Sequence, residues 1–214
     1  MAVTIGIIDY GMGNLHSLGK ALERVASSER VIISYDADIL RDCDKLVLPG
    51  VGGVRACMKE LQRLELSEMV VEQAGKVPVL GICLGMQVML EWSDENAGVP
   101  ALGLIPGKVV RFPDPAPGDN PRLKVPHMGW NQVKQERKHP MWKGIPDQSW
   151  FYFVHSYHAA PRQPIHTLGT SDYGRPFCAA VARDNIVAFQ FHPEKSQGTG
   201  MQLLSNFIDW DGKA

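Results

Sequence analysis

The chain has 214 residues, 44% apolar and 21% charged, the balance of an ordinary globular protein with room for a sizeable core. Its 22 basic and 23 acidic side chains leave a formal charge of −1, which offers no footprint for nucleic acid or an anionic membrane. No apolar run approaches the ~20 residues that span a bilayer, and Cys43, Cys57, Cys83 and Cys178 lack C-x-x-C spacing, so a reduced, cytoplasmic setting is expected, without disulfides, metal or cofactor.

Val3–Ile8 reads as a buried first strand; the stretch around it has neither the basic leader nor the cleavage site of a signal peptide. Asn14–Ala26 carries Leu15, Leu18, Ala21, Leu22 and Val25 at helical spacing. Val31–Tyr35 and Lys45–Leu48 are the next strands, and Val54–Leu64 is a helix with Val54, Met58 and Leu61 on one face. Val70–Gln73 falls in another helix, Val77–Ile82 is a strand, and Leu84–Trp92 the helix after it. Strands are then expected at Lys108–Phe112, Gln132–Gln135, Trp150–Tyr157, Thr167–Ser171, Cys178–Arg183 and Ile186–Phe191, with Phe112–Arg122 a proline-rich surface loop and Met201–Trp210 a closing amphipathic helix. This alternation predicts one α/β domain over residues 1–214: three layers, a mostly parallel central sheet with helices on both faces, and a strand-rich C-terminal half.

The stretch "GICLGMQ", Gly81 to Gln87, places one cysteine between two glycines where a buried strand turns into a helix. It is the thiol counterpart of the G-x-S-x-G nucleophile elbow. The helix start near Leu84 offers N–H groups and a positive dipole end, both of which favour thiolate. The alternative is a small buried cysteine beside two packing glycines, which is the reading for Cys43, Cys57 and Cys178. A nucleophile needs a base, and "FQFHPEKS" supplies His192 and Glu194 at i and i+2 after a strand. An extended segment puts them on one side, so His192 would take the thiol proton and Glu194 orient the imidazole. His155 is a candidate second site histidine or a structural one. In "LPGVGG", glycines 50, 52 and 53 free the backbone to turn its N–H groups toward developing negative charge; a plain turn is the alternative, and a phosphate loop is excluded because G-x-x-x-x-G-K-[ST] is absent.

"PGVGG", "GICLGMQ" and "HPE", in this order, resemble the motifs of the class I (triad) glutamine amidotransferases. "DYGMGNLHSL", "PHMGWN", "FYFVHSY" and "FQFHPEKS" narrow the resemblance to the glutaminase subunits of imidazole glycerol phosphate synthases, over nearly the whole chain. The similar subunits of sugar-amination synthases, or an inactive regulatory subunit on this fold, are the alternatives. The resemblance implies glutamine hydrolysis by Cys83, His192 and Glu194. An oxyanion hole would form from the Leu84 N–H and an N–H of Val51–Gly52, and Gly52, Gly85, Gln87, Ser156 and Tyr157 would contact glutamine. It also implies delivery of ammonia to a cyclase subunit built as a (β/α)₈ barrel, docked through Asn14, Met128, Trp130, Tyr152 and Lys195.

Overall fold

The chain is described by a computed structural model covering residues 3–114 and 123–213. The expected loop Phe112–Arg122 lies largely outside the described residues. In chain order the elements are β1 (Thr4–Ile8), α1 (Leu15–Val25), β2 (Arg30–Ser34), α2 (Ala37–Arg41), β3 (Lys45–Leu48), α3 (Val54–Arg63), α4 (Leu66–Gln73), β4 (Val79–Ile82) and α5 (Leu84–Val88). They continue with β5 (Trp92–Ser93), β6 (Val99–Pro100), β7 (Gly107–Arg111), β8 (His127–Gln135), β9 (Ser149–His155), β10 (Tyr157–Pro161), β11 (Thr167–Asp172), β12 (Pro176–Arg183), β13 (Ile186–Phe189) and α6 (Gln197–Asp209).

The strands form one large sheet in which β2, β1, β3, β4 and β13 lie side by side and parallel. Beyond β13 the sheet turns antiparallel through β12, β10 and β7, and β11, β8 and β9 branch from β12. The parallel core is the α/β layer read from the alternating pattern, and the antiparallel extension is the strand-rich second half. Side chains of the core strands alternate between faces, as a period of two requires. Ile5, Ile7, Val47, Leu80 and Ile82 pack with Leu18 and Leu22 of α1 and Leu203, Leu204 and Phe207 of α6. Ile8, Leu46, Leu48 and Val79 pack on the other face with Cys57 and Leu61 of α3 and Met69 and Val70 of α4.

Several boundaries differ from the expected ones for local reasons. α2 has too few apolar residues to show a helical period, and is started by Asp36, whose carboxylate accepts the Asp38 and Ile39 N–H groups. The helix expected over Leu84–Trp92 stops at Val88; Met89 and Leu90 close it with bonds to Met86 and Gln87, and Trp92–Ser93 joins the sheet beside β7. The strand expected at Gln132 begins at His127, paired with β9 from His127 to Val133 and with β11 at Lys134 and Gln135. The segment expected as one strand, Trp150–Tyr157, is broken at Ser156 into β9 and β10. α6 begins four residues earlier than read, at Gln197 rather than Met201.

Candidate active site

The parallel strands β3, β4 and β13 deliver their C-terminal ends to one edge, where ligands bind in open α/β sheets. There Val51, Gly52, Cys83, Leu84, Gln87, Ser156, Tyr157 and His192, all expected from the sequence, line a single cleft of about 430 Å³. Cys83 has φ 54° and ψ −108°, a conformation that side-chain-bearing residues rarely adopt. Its nitrogen still donates to Phe189 of β13 at 2.7 Å, so the sheet holds the turn in place. Such strain costs about 1–3 kcal/mol and persists only where its surroundings over-determine it. Glycine visits this mirror-image region without strain. Cys83→Gly is therefore expected to be more stable than Cys83→Ala by roughly 1 kcal/mol, a difference that denaturant titration of both proteins reads directly. A glycine variant less stable than the alanine one would remove strain from the account of the elbow.

Gly85 is required by close approach. A Cβ there would lie 1.8 Å from the Leu48 carbonyl oxygen, so the first turn of α5 rests directly on β3. Because α5 has only five residues, its dipole is weaker than the longer expected helix would give. What remains for an oxyanion is geometric: the Leu84 N–H opens the helix and has no hydrogen-bond acceptor among the described residues. Across the cleft Gly52 has φ +97°, which a side chain rarely adopts. The segment carrying it is pinned at both ends. The Tyr10 hydroxyl donates to the Pro49 carbonyl at 2.8 Å, and the Val54 N–H donates to Glu95 Oε2 at 2.7 Å. Gly50, Val51 and Gly52 lie between these anchors.

His192 and Glu194 meet as expected, with Nδ1 and Oε1 2.8 Å apart and both side chains almost fully buried. The route differs from the extended one anticipated: only His192 is extended, and Pro193–Lys195 forms a 3₁₀ turn. The Ser196 hydroxyl donates to the His192 carbonyl at 2.6 Å and accepts the Tyr152 N–H, while the His192 N–H donates to the Tyr152 carbonyl. The turn is thus sewn to β9. Burial opposes charge on His192, but the neighbouring Cys83 and Glu194 outweigh it and raise the imidazole to about 9. Its Nε2 is buried with no hydrogen-bond partner among the described residues, and Cys83 is the neighbour on that side. Burial pushes the other thiols up, Cys43 to about 11 and Cys57 and Cys178 to about 12, so none of them is activated.

His155 also lines the cleft, and burial lowers it to about 3, which keeps it neutral. Among the described residues no cluster has the make-up of a metal site, and no helix is long and apolar enough to cross a membrane. The docking residues expected from the resemblance form a strip beside the triad in which Asn14, Met128, Trp130 and Lys195 are exposed and Tyr152 is half-buried. Met128 and Trp130 project from β8, 62% and 43% exposed, and Trp130 packs edge-on to Tyr152 of β9. Lys195 Nζ sits 5.9 Å over the Tyr152 ring. Asn14 and Lys195 flank a small recess behind His192. Asn14 also caps α1, its side-chain oxygen accepting the Ser17 N–H at 3.4 Å.

Sequence reasoning assigned no role to Tyr10, Glu95, Gln190 and Ser196, three of them inside the quoted motifs, because they act through long-range hydrogen bonds that periodicity does not report. Trp150, half exposed on β9 beside the strip, was legible as an aromatic alternating outward in "SWFYFVH".

Known proteins resemble the chain in both sequence and fold. The family described as "Glutamine amidotransferase class-I" matches residues 6–210. The chain is 51% identical over 210 residues to the imidazole glycerol phosphate synthase subunit HisH of Methylococcus capsulatus, covering 97% of each chain. It is 52% identical over 209 residues to the corresponding subunit of Nitrosococcus oceani, covering 98% of each. In fold it is similar to a glutamine amidotransferase crystal structure, with TM-score 0.67 at 17% identity over 96% of this chain and 97% of that one. A structure of PurLQS from Thermotoga maritima gives TM-score 0.70 at 16% identity, over 97% and 98%. The chain belongs to the class I glutamine amidotransferases, in the branch of the HisH subunits of imidazole glycerol phosphate synthase.

Proposed function

We propose that this chain, as one domain working in the cytoplasm, is the glutaminase subunit of an imidazole glycerol phosphate synthase in histidine biosynthesis. It hydrolyses glutamine to glutamate and ammonia and passes the ammonia to a (β/α)₈-barrel cyclase subunit. The observation that carries the chemistry is the buried His192–Glu194 pair at 2.8 Å, with its free imidazole nitrogen beside the strained Cys83 in one cleft.

Cys83 gives its proton to His192, and its sulfur attacks the side-chain amide carbon of glutamine and forms the C–S bond. The oxyanion is received by the Leu84 N–H and an N–H of the Val51–Gly52 segment. His192, held by Glu194, gives its proton to the departing nitrogen, and the C–N bond breaks to release ammonia. Water then loses a proton to His192, attacks the thioester and frees glutamate and the thiol. The cleft suits the substrate: Gln87, Ser156 and Tyr157 offer polar groups, Gly85 brings the helix close, and Glu95 supplies the carboxylate that an α-ammonium group calls for. Ammonia protonates in bulk water, so the reaction favours a docked receiver, and the strip of Asn14, Met128, Trp130, Tyr152 and Lys195 adjoins the triad.

The test is glutamate release by the chain alone, with the cyclase partner, and with the cyclase partner plus its ribulosyl ligand. Slow turnover alone and acceleration in the loaded complex are expected. The Gly50–Gly52 segment is fixed only at its ends, and one missing oxyanion donor costs roughly 10²–10³-fold. Full turnover by the isolated chain, unchanged by partner and ligand, would contradict the reading.

The pH profile adds a second check. With His192 raised to about 9, the protonated imidazole persists through neutral pH and is lost only as pH rises through that value. The alkaline limb of kcat/KM for glutamine is expected near 9. An alkaline limb near 6.5, the value of an ordinary imidazole, would mean that Cys83 and Glu194 do not raise His192.

A further inference from the structure

Gln190 is completely buried just beyond β13, and its side chain bridges Gln87 and Cys83, two residues that line the cleft. Its Oε1 accepts from Gln87 Nε2 at 3.1 Å, and its Nε2 donates toward the Cys83 sulfur at 3.8 Å. Gln87 gives its other N–H to the Tyr157 carbonyl at 2.9 Å. A backbone carbonyl only accepts, so nitrogen must be the Gln87 atom that faces it, and the orientation of that amide is settled. Both Gln87 protons are committed, and its Oε1 has no protein partner among the described residues. Since Gln87 lines the cleft, an acceptor is what it presents to a substrate.

The Tyr157 carbonyl is itself fixed. His155 Nδ1 lies 2.9 Å from it and so carries the proton. Being neutral, His155 accepts at Nε2 from His127 Nδ1, 2.9 Å away. Asn131 then faces the remaining His127 nitrogen at 3.4 Å. The donor assignments from Asn131 to Cys83 are mutually compatible, with His155 and Gln87 both donating to the Tyr157 carbonyl.

Gln87 follows Cys83 by four residues, so it lies about 6 Å further along the chain's rise. In extended glutamine the amide carbon and the amino nitrogen are about 5 Å apart. An acceptor one turn from the nucleophile therefore falls level with the α-ammonium group when Cys83 meets the amide carbon. The Glu95 carboxylate lines the same cleft.

We propose that Gln190 is a positioning residue for substrate selection: it holds the Gln87 amide with its oxygen toward the cleft, where that oxygen accepts from the α-ammonium of glutamine, and it ties this subsite to Cys83. The proposal rests on the glutaminase reading above. Its test compares glutamine with its deamino analogue, 4-carbamoylbutanoate, as substrates of the assembled and ligand-stimulated enzyme. In Gln190→Met the preference for glutamine, expressed as the ratio of kcat/KM values, is expected to shrink roughly three- to tenfold, the worth of one buried hydrogen bond. A merely structural role would lower both rates together and leave the ratio unchanged, which would overturn the proposal. If Gln190→Met fails to fold, Gln190→Asn, which keeps a polar group but is too short to reach either neighbour, is read the same way. In the double variant with Gln87→Met, no further loss of preference is expected, because the two residues act as one; additive losses would also overturn it. Cys83→Ala serves as the control that separates the two readings. Absence of Cys83-dependent glutamine hydrolysis in the unaltered enzyme means the glutaminase reading has failed, whereas Cys83-dependent hydrolysis with unchanged preference in Gln190→Met refutes the role of Gln190 alone.

Discussion

Cys83→Ala is expected to abolish glutamine-dependent synthesis by the assembled enzyme while leaving ammonia-dependent synthesis intact. The thiol serves only the glutaminase half, and a cyclase supplied with ammonia has no use for it. Removing the nucleophile from a hydrolase built on a triad costs on the order of 10⁶-fold in turnover. His192→Ala is expected to be severely impaired as well, because nucleophile and base act as one unit and their losses do not add. Glu194→Gln is expected to be milder: Glu194 forms no bond to substrate and acts through Nδ1 of His192, 2.8 Å away. The measurement is glutamate release and product formation, with glutamine and then with ammonium salt at mildly alkaline pH. Glutamate release by Cys83→Ala at the unaltered rate would refute the assignment of the nucleophile. Loss of the ammonia-dependent rate in the same variant would show that Cys83 also supports docking of the cyclase.

The elbow was legible because its chemistry is local. A buried strand, a cysteine flanked by Gly81 and Gly85, and an amphipathic continuation are all visible within a dozen residues, and so is the His192–Glu194 spacing. The parallel core was legible for a related reason, since β1, β3 and β4 are short apolar runs separated by helical periods. What the pattern hides is set by partners distant in the chain. Gln190 reads as one polar residue inside an apolar strand, and only the fold brings it to Gln87, 103 positions away. His127 and His155 are separate motif residues until the β8–β9 pairing sets them 2.9 Å apart. The length of α5 was misread because Met89 and Leu90 continue the apolar character of a helix while the chain is already turning toward β5. The 3₁₀ turn at Pro193 was misread because proline's fixed φ suits an extended segment and the first position of a helical turn alike.

Gly85→Ala is expected to be the most damaging single methyl group in the cleft. Its Cβ would stand 1.8 Å from the Leu48 oxygen and 2.8 Å from the Leu48 carbonyl carbon, both backbone atoms of β3. No rotamer change relieves such a clash, so either α5 lifts from the sheet or β3 is displaced between β1 and β4. Overpacking a well-filled core typically costs about 1–3 kcal/mol, and occasionally more; a backbone collision belongs at or above the top of that range. If α5 lifts, it takes with it the Leu84 N–H and the Cys83 turn, so glutamine turnover is expected to fall even in the protein that folds. Gly198→Ala is the control. It lies in the first turn of α6 with nothing within 4 Å of the added Cβ, and its φ is not positive. Replacing a helical glycine there is expected to stabilise by about 0.4–1 kcal/mol. Thermal melts and glutamate release for the two variants, measured side by side, distinguish a steric requirement at Gly85 from a general intolerance of alanine for glycine. Equal, near-native stability and activity in both would mean that α5 can recede from β3, and the close approach would then not be what aims Cys83 into the cleft.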